Sequence, residues 1–375
     1  MKSFLCSQTW RMAALAATLA APALRAQSTA SAASTAPAPA PVGTQAAAFP
    51  HGLWELMFEN DWFYGTDRDL TNDLRFGYTT PNQTDWAAVP VIPNALGHFF
   101  DRASFMDDKT AVVAASYYAQ QNIYTPNNLR LNPPDAYDRP YAGWVGLGID
   151  LVRQTATRRA VFEINPGWVG PESGAQQLQQ GWHSTIGATY PQGWGYQIRN
   201  EPVIQLTYRQ DWRPDLFSNL SSSDTLGHDV ILHGVVTAGN GWDYLGVGFL
   251  ARAGYHVPND YGPARERLGE VDTLPYAPGG TPDCANSWSL ESFSAYVCVG
   301  GEERFVAHDI TLDGNTFANS RGVGNEPTVG EAYGGLVVEY AGIRASFLST
   351  YETRTFRAQV QDGQWRGIAT LGYAY

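Results

Sequence analysis

Lysine is almost absent from this chain of 375 residues: Lys2 and Lys109 are the only two, so nearly all of its 24 basic residues are arginine. The formal net charge is -12. Nucleic acid is excluded as a partner, because it is held through a basic stripe. Arginine is instead the side chain that grips carboxylates and phosphates with a planar fork. Cysteine is scarce too, with Cys6, Cys284 and Cys298 the only three. That is too few for a disulfide framework, and Cys284 and Cys298 can be paired or both free. No apolar run is long enough for a transmembrane helix. Charged residues make up only 16% of the chain.

The first 26 residues read as a secretory leader. Lys2 and Arg11 supply the positive start, a short apolar run follows, and Ala23-Leu24-Arg25-Ala26 is a small-residue cleavage site. Residues 27–48 are an Ala/Ser/Thr/Pro tract without hydrophobic period, expected to be a flexible linker. The folded domain is then residues 49–375.

Aromatics (13%) and glycines (38) are abundant in the chain, and alternation is the main pattern of that domain. Val145, Leu147, Ile149 and Leu151 oppose Gly146, Gly148 and Asp150, and Leu74, Phe76 and Tyr78 oppose Asp73, Arg75, Gly77 and Thr79. Ile343, Phe347 and Tyr351 likewise oppose Arg344, Ser346 and Glu352. Period two alone also fits a soluble sandwich that binds carbohydrate through its tryptophans. Strand length of roughly 10 residues and mid-strand charges favour a membrane barrel with a wet lumen. The expectation is an all-β fold, a twelve-stranded antiparallel barrel of the bacterial outer membrane. Its strands should begin near Leu53, Thr71, Thr110, Pro140, Arg159, Asn200, His228, Trp242, Ser289, Thr328, Gly342 and Trp365. With both termini periplasmic, residues 61–70, 121–139, 170–199 and 313–327 fall outside the cell. Two long connections, 82–108 and 258–286, fall on the periplasmic side and break the habit of short turns there.

Residues 171–202 carry the one helix that can be argued residue by residue. Ser173 and Gln176 form a capping-box pattern, and Gly187 ends the helix. Ala175, Leu178, Trp182 and Ile186 share one stripe, while Gln176, Gln179, Gln180 and His183 share another. His183 is a candidate general base, and Ser184 beside it points away. A second cluster, Glu59-Asn60-Asp61 with Asp67, Asp69, Thr71 and Asp73, offers hard oxygen donors for Ca2+ or else a solvated acidic loop.

Several segments in order resemble the outer-membrane lipid A 3-O-deacylase family. They are Glu59-Asn60-Asp61, Thr66-Asp67-Arg68, Ile123-Tyr124-Thr125-Pro126 and Asp138-Arg139-Pro140-Tyr141-Ala142-Gly143-Trp144. They continue with Gly170-Pro171-Glu172-Ser173-Gly174, the run from Gln179 through His183 to Glu201-Pro202, Asp260-Tyr261-Gly262-Pro263-Ala264-Arg265 and Asp309-Ile310-Thr311-Leu312-Asp313-Gly314-Asn315-Thr316-Phe317. The resemblance implies a Ca2+-dependent hydrolase of the ester that carries the 3-O acyloxyacyl chain of lipid A, embedded in the outer membrane with lipopolysaccharide as its substrate. It implies that His183, Asn60, Asp61 and Thr71 act in catalysis and that Asp61, Asn60 and Glu59 hold the metal. Arg130 and Arg139 are candidates to hold a phosphate or sugar, with Arg139 alternatively a structural partner of Asp138. Two positions depart from the family: Thr189 stands where a glutamate is expected, with Glu201 a displaced substitute, and Arg130 is the nearest cation to an expected lysine. The alternative is a catalytically silent barrel of the same ancestry, a porin or structural surface protein.

Overall fold

A computed structural model of the protein describes residues 52–102, 110–220, 225–276 and 293–375. The leader, the linker, Cys284 and any Cys284–Cys298 pairing lie outside the described residues. Twelve antiparallel strands close into one barrel. They are β1 (Leu53–Asn60), β2 (Asp69–Thr79), β3 (Val112–Thr125), β4 (Ala142–Gln154), β5 (Arg158–Val169) and β6 (Glu201–Trp212). They continue with β7 (Leu226–Gly239), β8 (Trp242–Tyr255), β9 (Ser294–Asp309), β10 (Thr328–Tyr340), β11 (Ile343–Thr353) and β12 (Gly363–Ala374). Each strand pairs with its sequence neighbours, and β1 pairs with β12 from Leu53↔Ala374 to Asn60↔Gly367. Closure leaves no free edge, as a backbone in hydrocarbon requires.

The alternation has one dry side and one charged side. Trp54, Leu56, Leu74, Phe76, Leu147 and Ile149 project outward and stay exposed, where lipid would cover them. Aromatic pairs mark both rims: Trp54 stacks on Phe76 at the end that carries the termini, and Tyr64 packs on Trp365 at the far end. Such girdles sit at the membrane interfaces. A closed barrel with an apolar outside and a charged inside answers the soluble-sandwich alternative.

The lumen is not empty: chain occupies much of it and leaves a polar-lined cavity of about 110 Å3. The described part of the β8–β9 connection, residues 257–276, runs through the barrel interior. Arg265 forms ion pairs with Glu270 of its own segment, with Glu302 of β9 (3.2 Å) and with Glu331 of β10. Glu270 also takes Arg209 Nη1 of β6 at 2.9 Å, and its backbone oxygen accepts from Arg75 Nη1 of β2 at 2.9 Å. Asp260 lies between Arg252 of β8 and Arg344 of β11. The long connection is therefore a plug rather than a miscounted strand. A charged wall buried on its inner side needs counter-charges, and this segment supplies them.

The other long connection lies on the outside of the wall. A short turn at Trp86–Ala88 and α1 (Asn94–Arg102) pack Trp86, Val89 and Phe100 against Val113, Ala115, Leu151 and Phe162. Both exceptions to the short-turn habit thus follow from surfaces that the barrel leaves to be covered.

Replacing Arg265 with alanine leaves three carboxylates without their shared cation. The expected outcome is a loss of about 3–5 kcal/mol of stability. It is checked by the urea midpoint and heat-modifiable migration of the purified barrel in detergent, with wild-type values sinking the plug's structural role.

Candidate functional site

The site begins where β1 ends. Asp61–Tyr64 is one 3-10 turn, and Asn60 caps it, its Oδ1 accepting from Trp62 N at 2.7 Å. Asn60 Nδ2 donates to Asn72 Oδ1 at 3.2 Å across the β1–β2 pair. Asp61, by contrast, is fully buried. Its Oδ2 accepts from Thr66 Oγ1 (2.7 Å), Arg68 N (2.8 Å) and Gln364 Nε2 (3.4 Å). Its Oδ1 accepts from Thr71 Oγ1 at 3.1 Å, and the same hydroxyl lies 2.7 Å from Asp67 Oδ1. One hydroxyl proton cannot serve two carboxylates. One of them is left short of a donor.

The electrostatics follow. Burial pushes the Asp61 carboxyl up to about 7, against the pull of its hydrogen bonds from Thr66, Arg68 and Thr71. Burial raises Asp67 as well, and Thr71, His183 and Gln179 draw it partly back. Two carboxylates bridged by a hydroxyl form a hard-oxygen donor set that suits Ca2+. Among the described residues no group of three His, Cys, Asp or Glu converges for a metal. Any further ligands would therefore be hydroxyls, carbonyls or water.

The second half of the site comes from α2 (Ala175–Ile186), in the β5–β6 connection. The expected capping box does not form. Pro171–Ser173 is a 3-10 turn, Gly174 is the N-cap in the left-handed region at φ 74°, and Ser173 Oγ donates to Gly170 O at 2.7 Å. Gln176 donates to Gln180 (3.3 Å) instead of reaching back. Gly187 does end the helix, at φ 71°. The start of α2 rests on the outward face of β4 at Gly143, where an added Cβ would come within 2.3 Å of Ala175 Cβ. Gln121 of β3, also outward, donates to Ser173 O at 2.6 Å. α2 therefore lies against the outer wall of the barrel, near the far rim. Ile123, Leu129, Tyr141, Ala175 and Trp194 form the packed layer beneath it.

The helix faces the opposite way from an ordinary amphipathic one. Ala175, Gln179 and His183 are buried. Leu178 (45%), Trp182 (61%) and Ile186 (48%) are exposed. His183 Nδ1 lies 2.5 Å from the Thr189 carbonyl oxygen. A carbonyl only accepts, so Nδ1 carries the proton and Nε2 is left to face Asp67 Oδ2 at 3.4 Å. Gln179, one turn earlier, donates to Asp67 Oδ1 (3.4 Å) and accepts from Trp194 Nε1 (2.8 Å). The segment after the helix is tied to the β3–β4 connection by Gln192 N to Leu129 O (2.9 Å) and Ile198 N to Tyr141 O (3.0 Å). That holds Thr189 in place.

The structure thus brings together His183, Asp67, Thr71 and Asp61. A cleft of about 360 Å3 beside them is lined by Thr66, Asp67, Arg68, Leu129, Arg130 and Thr189. Arg130 is on this cleft. Arg139 is not: it is buried, stacked over Tyr124, and donates to Thr311 Oγ1 at 3.0 Å, with Asp69 at 3.9 Å. Glu59 stays on the inner face, paired with Arg366 of β12. Asn60 neighbours Asp61, but its side chain is spent on the cap and on Asn72. Glu201 does not substitute at position 189, since it anchors the β9–β10 connection through Phe317 N (3.0 Å) and Ala318 N (3.2 Å). Asp67 is among the oxygen donors of the acidic cluster read from sequence, whereas Gln179 and Arg68 are given no role there. Gln179 alone carried a signal, because it sits four residues before His183 on the same helical face.

A family model described as outer membrane protein LpxR matches residues 13–375. Among solved structures, LpxR from Salmonella typhimurium matches with a TM-score of 0.61 at 20% identity, covering 86% of this chain and 99% of that one. At that identity the likeness shows the fold. The beta domain of the Bordetella autotransporter BrkA matches with a TM-score of 0.39 at 9% identity, covering 87% of this chain and 100% of that one. No curated protein sequence matches.

Asp61 generates a pH prediction. Its folded value, about 7, lies above that of an unfolded Asp, about 3.9. Between these values the folded state holds a proton that the unfolded state does not, so stability rises as pH falls. In chelator-containing buffer the wild-type barrel should therefore melt higher at pH 5 than at pH 8. Asp61→Asn, whose amide can donate to Thr71 while its oxygen keeps Arg68 N and Thr66, should lose most of that difference. Parallel pH profiles for the two proteins would overturn the assignment.

Proposed function

The chain belongs to the LpxR family of outer membrane proteins, and on that footing we propose that it is a lipid A deacylase. Its reaction is hydrolysis of the ester that holds the 3-O acyloxyacyl chain, by water activated at His183. The observation that carries the reading is the site's place. His183, Asp67, Thr71 and Asp61 lie at the far rim, between the barrel and a helix packed on its outer wall. The exposed stripe of Leu178, Trp182 and Ile186 continues the lipid-facing surface beside them. An amphiphile in the outer leaflet can reach such a site sideways, with acyl chains against that stripe and polar groups against Arg68 and Arg130.

The mechanism follows from the hydrogen bonds. The Thr189 carbonyl holds the proton on Nδ1, so Nε2 is free to take a proton from water as general base. The hydroxide formed bonds to the ester carbonyl carbon, the bond from that carbon to the sugar oxygen breaks, and the imidazolium returns its proton to the leaving sugar alkoxide. Asp67 faces the ring and stabilises the imidazolium between those steps. Gln179, held by Trp194, orients Asp67. Ca2+, held by Asp61 and Asp67 with the Thr71 hydroxyl, would supply Lewis-acid stabilisation of the charge developing on the carbonyl oxygen.

The porin alternative needs an open lumen, and residues 257–276 fill it. Thr189 weakens the enzyme reading less than its side chain suggests, because the contact with His183 is made by backbone.

Mass spectrometry of lipid A from cells expressing the protein tests the reading. Wild type should release the acyloxyacyl chain, with activity lost on chelation and restored by Ca2+. His183→Ala should fall by about 10^2–10^4-fold, the worth of a general base. Loss of no acyl chain by wild type under any metal condition would falsify the deacylase reading, and an active His183→Ala would remove the base assignment alone.

Thr189→Ala tests the backbone argument separately. It keeps the carbonyl, so activity should stay within about threefold of wild type, since only a minor side-chain contact is lost. A collapse to the His183→Ala level would show that the threonine hydroxyl matters.

A further inference from the structure

Two helices cover the outward face of the same strands at opposite ends. α2 rests on β4 at Gly143, near the far rim. α1 and the Trp86–Ala88 turn cover Val113 and Ala115 of β3, Leu151 of β4 and Phe162 of β5, toward the end that carries the termini. Between the two, β4 leaves only Val145, Leu147 and Ile149 exposed on its apolar face. At about 3.4 Å per residue and a strand tilt of about 40°, that bare stretch is roughly 10 Å tall. On β12 exposed apolar side chains run from Trp365 through Leu371 to Tyr373. By the same measure that is roughly 20 Å, close to the band of about 25 Å that an outer-membrane barrel presents to lipid. The membrane is not half as thick on one side of the barrel. The missing height over β3, β4 and β5 has to be supplied by the exposed faces of the two helices.

The surface of α1 divides into three. Its wall side carries Gly97, where an added Cβ would lie 2.7 Å from the Trp86 carbonyl oxygen, and Phe100, which packs edge-on against Trp86. Ala95, Leu96 and Phe99 form a second, exposed and apolar flank. Asn94, His98 and Arg102, at i, i+4, i+8 spacing, form a third flank that is exposed, polar and basic. A helix so divided fits the plane where acyl chains meet headgroups, with its aromatic and aliphatic side chains below and its basic ones at the phosphates. We propose that α1 is a foot of the barrel in the periplasmic leaflet, with phospholipid as its partner. Leu96 and Phe99 lie among the acyl chains, and His98 and Arg102 lie at the headgroup phosphates. Phospholipid is the occupant, rather than a second copy or another protein, for two reasons. The apolar flank continues the lipid-facing surface of Val145, Leu147 and Ile149 in the direction where the bare wall falls short. The flank beside it carries the charge that complements phosphate. This anchoring does not depend on the deacylase reading.

Spin-label depth measurements on the full chain, reconstituted in vesicles of phosphatidylethanolamine and phosphatidylglycerol, test this without any activity readout. Single cysteines replace Leu96, His98, Phe99, Arg102 and Thr157 in turn, in a background of Cys6→Ser, Cys284→Ser and Cys298→Ser, and heat-modifiable migration confirms that each barrel is folded. Depth is read from the balance of relaxation by oxygen, which concentrates in hydrocarbon, and by a water-soluble nickel chelate. Labels at Leu96 and Phe99 should sit about 5–10 Å inside the phosphate level. Labels at His98 and Arg102 should sit at or outside it, and the label at Thr157, exposed on the β4–β5 turn, should be in water. Either apolar position suffices if the other variant misfolds. Labels at Leu96 and Phe99 as open to nickel as that at Thr157 would overturn the proposal. So would labels there that are shielded from both reagents, the mark of a protein partner or a second copy. Raising the share of anionic phosphatidylglycerol should draw the Phe99 label deeper, and Arg102→Glu should abolish that response. A response that survives in Arg102→Glu would overturn the contact between Arg102 and phosphate.

Discussion

The charged inner face of the barrel has to be neutralised from within, and this requirement shapes everything else in the molecule. Arginines and carboxylates on β2, β5, β6, β8, β9, β10, β11 and β12 are buried inside the barrel. Coulomb attraction in such a place is strong, but each ion that loses its partner costs several kcal/mol. The segment from 257 to 276 carries Asp260, Arg265, Glu270 and Asp272 into that space and pairs with strands on opposite sides of the barrel. The result is a filled, cross-braced cylinder.

The candidate site lies instead at the rim and the outer wall. There the usual logic of an amphipathic helix is inverted. α2 turns its amides and histidine toward the protein and its large apolar side chains outward. In water that arrangement is unfavourable, at roughly 1.5–3 kcal/mol for each large side chain left exposed. Beside a bilayer it is the stable one, because the surrounding medium is apolar and the buried polar groups have partners. Gln179 is satisfied by Trp194 and Asp67, and His183 by Thr189 and Asp67. The same rotation that suits the membrane delivers the histidine to the carboxylates.

Thr189 shows why side-chain identity alone is a poor guide to a site. A family glutamate is missing at this position, yet the histidine ring is oriented by a backbone oxygen, a group every residue has. What matters is where the chain runs after α2, and two backbone hydrogen bonds to the β3–β4 connection settle that. Asp67, four residues before Thr71 on a short loop, then shares one hydroxyl with Asp61 and faces the ring.

The strand set was legible in the chain itself. Side chains alternate with period two in any strand, so Leu74, Phe76 and Tyr78 against Asp73 and Arg75 reveal both the strand and its faces without any knowledge of neighbours. The end of α2 at Gly187 was legible for the same reason, since a left-handed cap is a local event. His183 stood out because it shares a helical face with amides. Contacts between distant segments had no such signature. That Arg265 would enter the barrel, that Arg139 would turn to Asp69 and Thr311, and that Glu59 would be taken by Arg366 depend on strand closure and on which charges then face each other. The start of α2 differs for a related reason: packed on Gly143 of β4, the Ser173 hydroxyl donates to Gly170 O and takes only a long contact from Ala175 N (3.4 Å), while Gln176 turns to Gln180. Local periodicity is written in one segment, whereas a buried charge chooses its partner only after the barrel has closed around it.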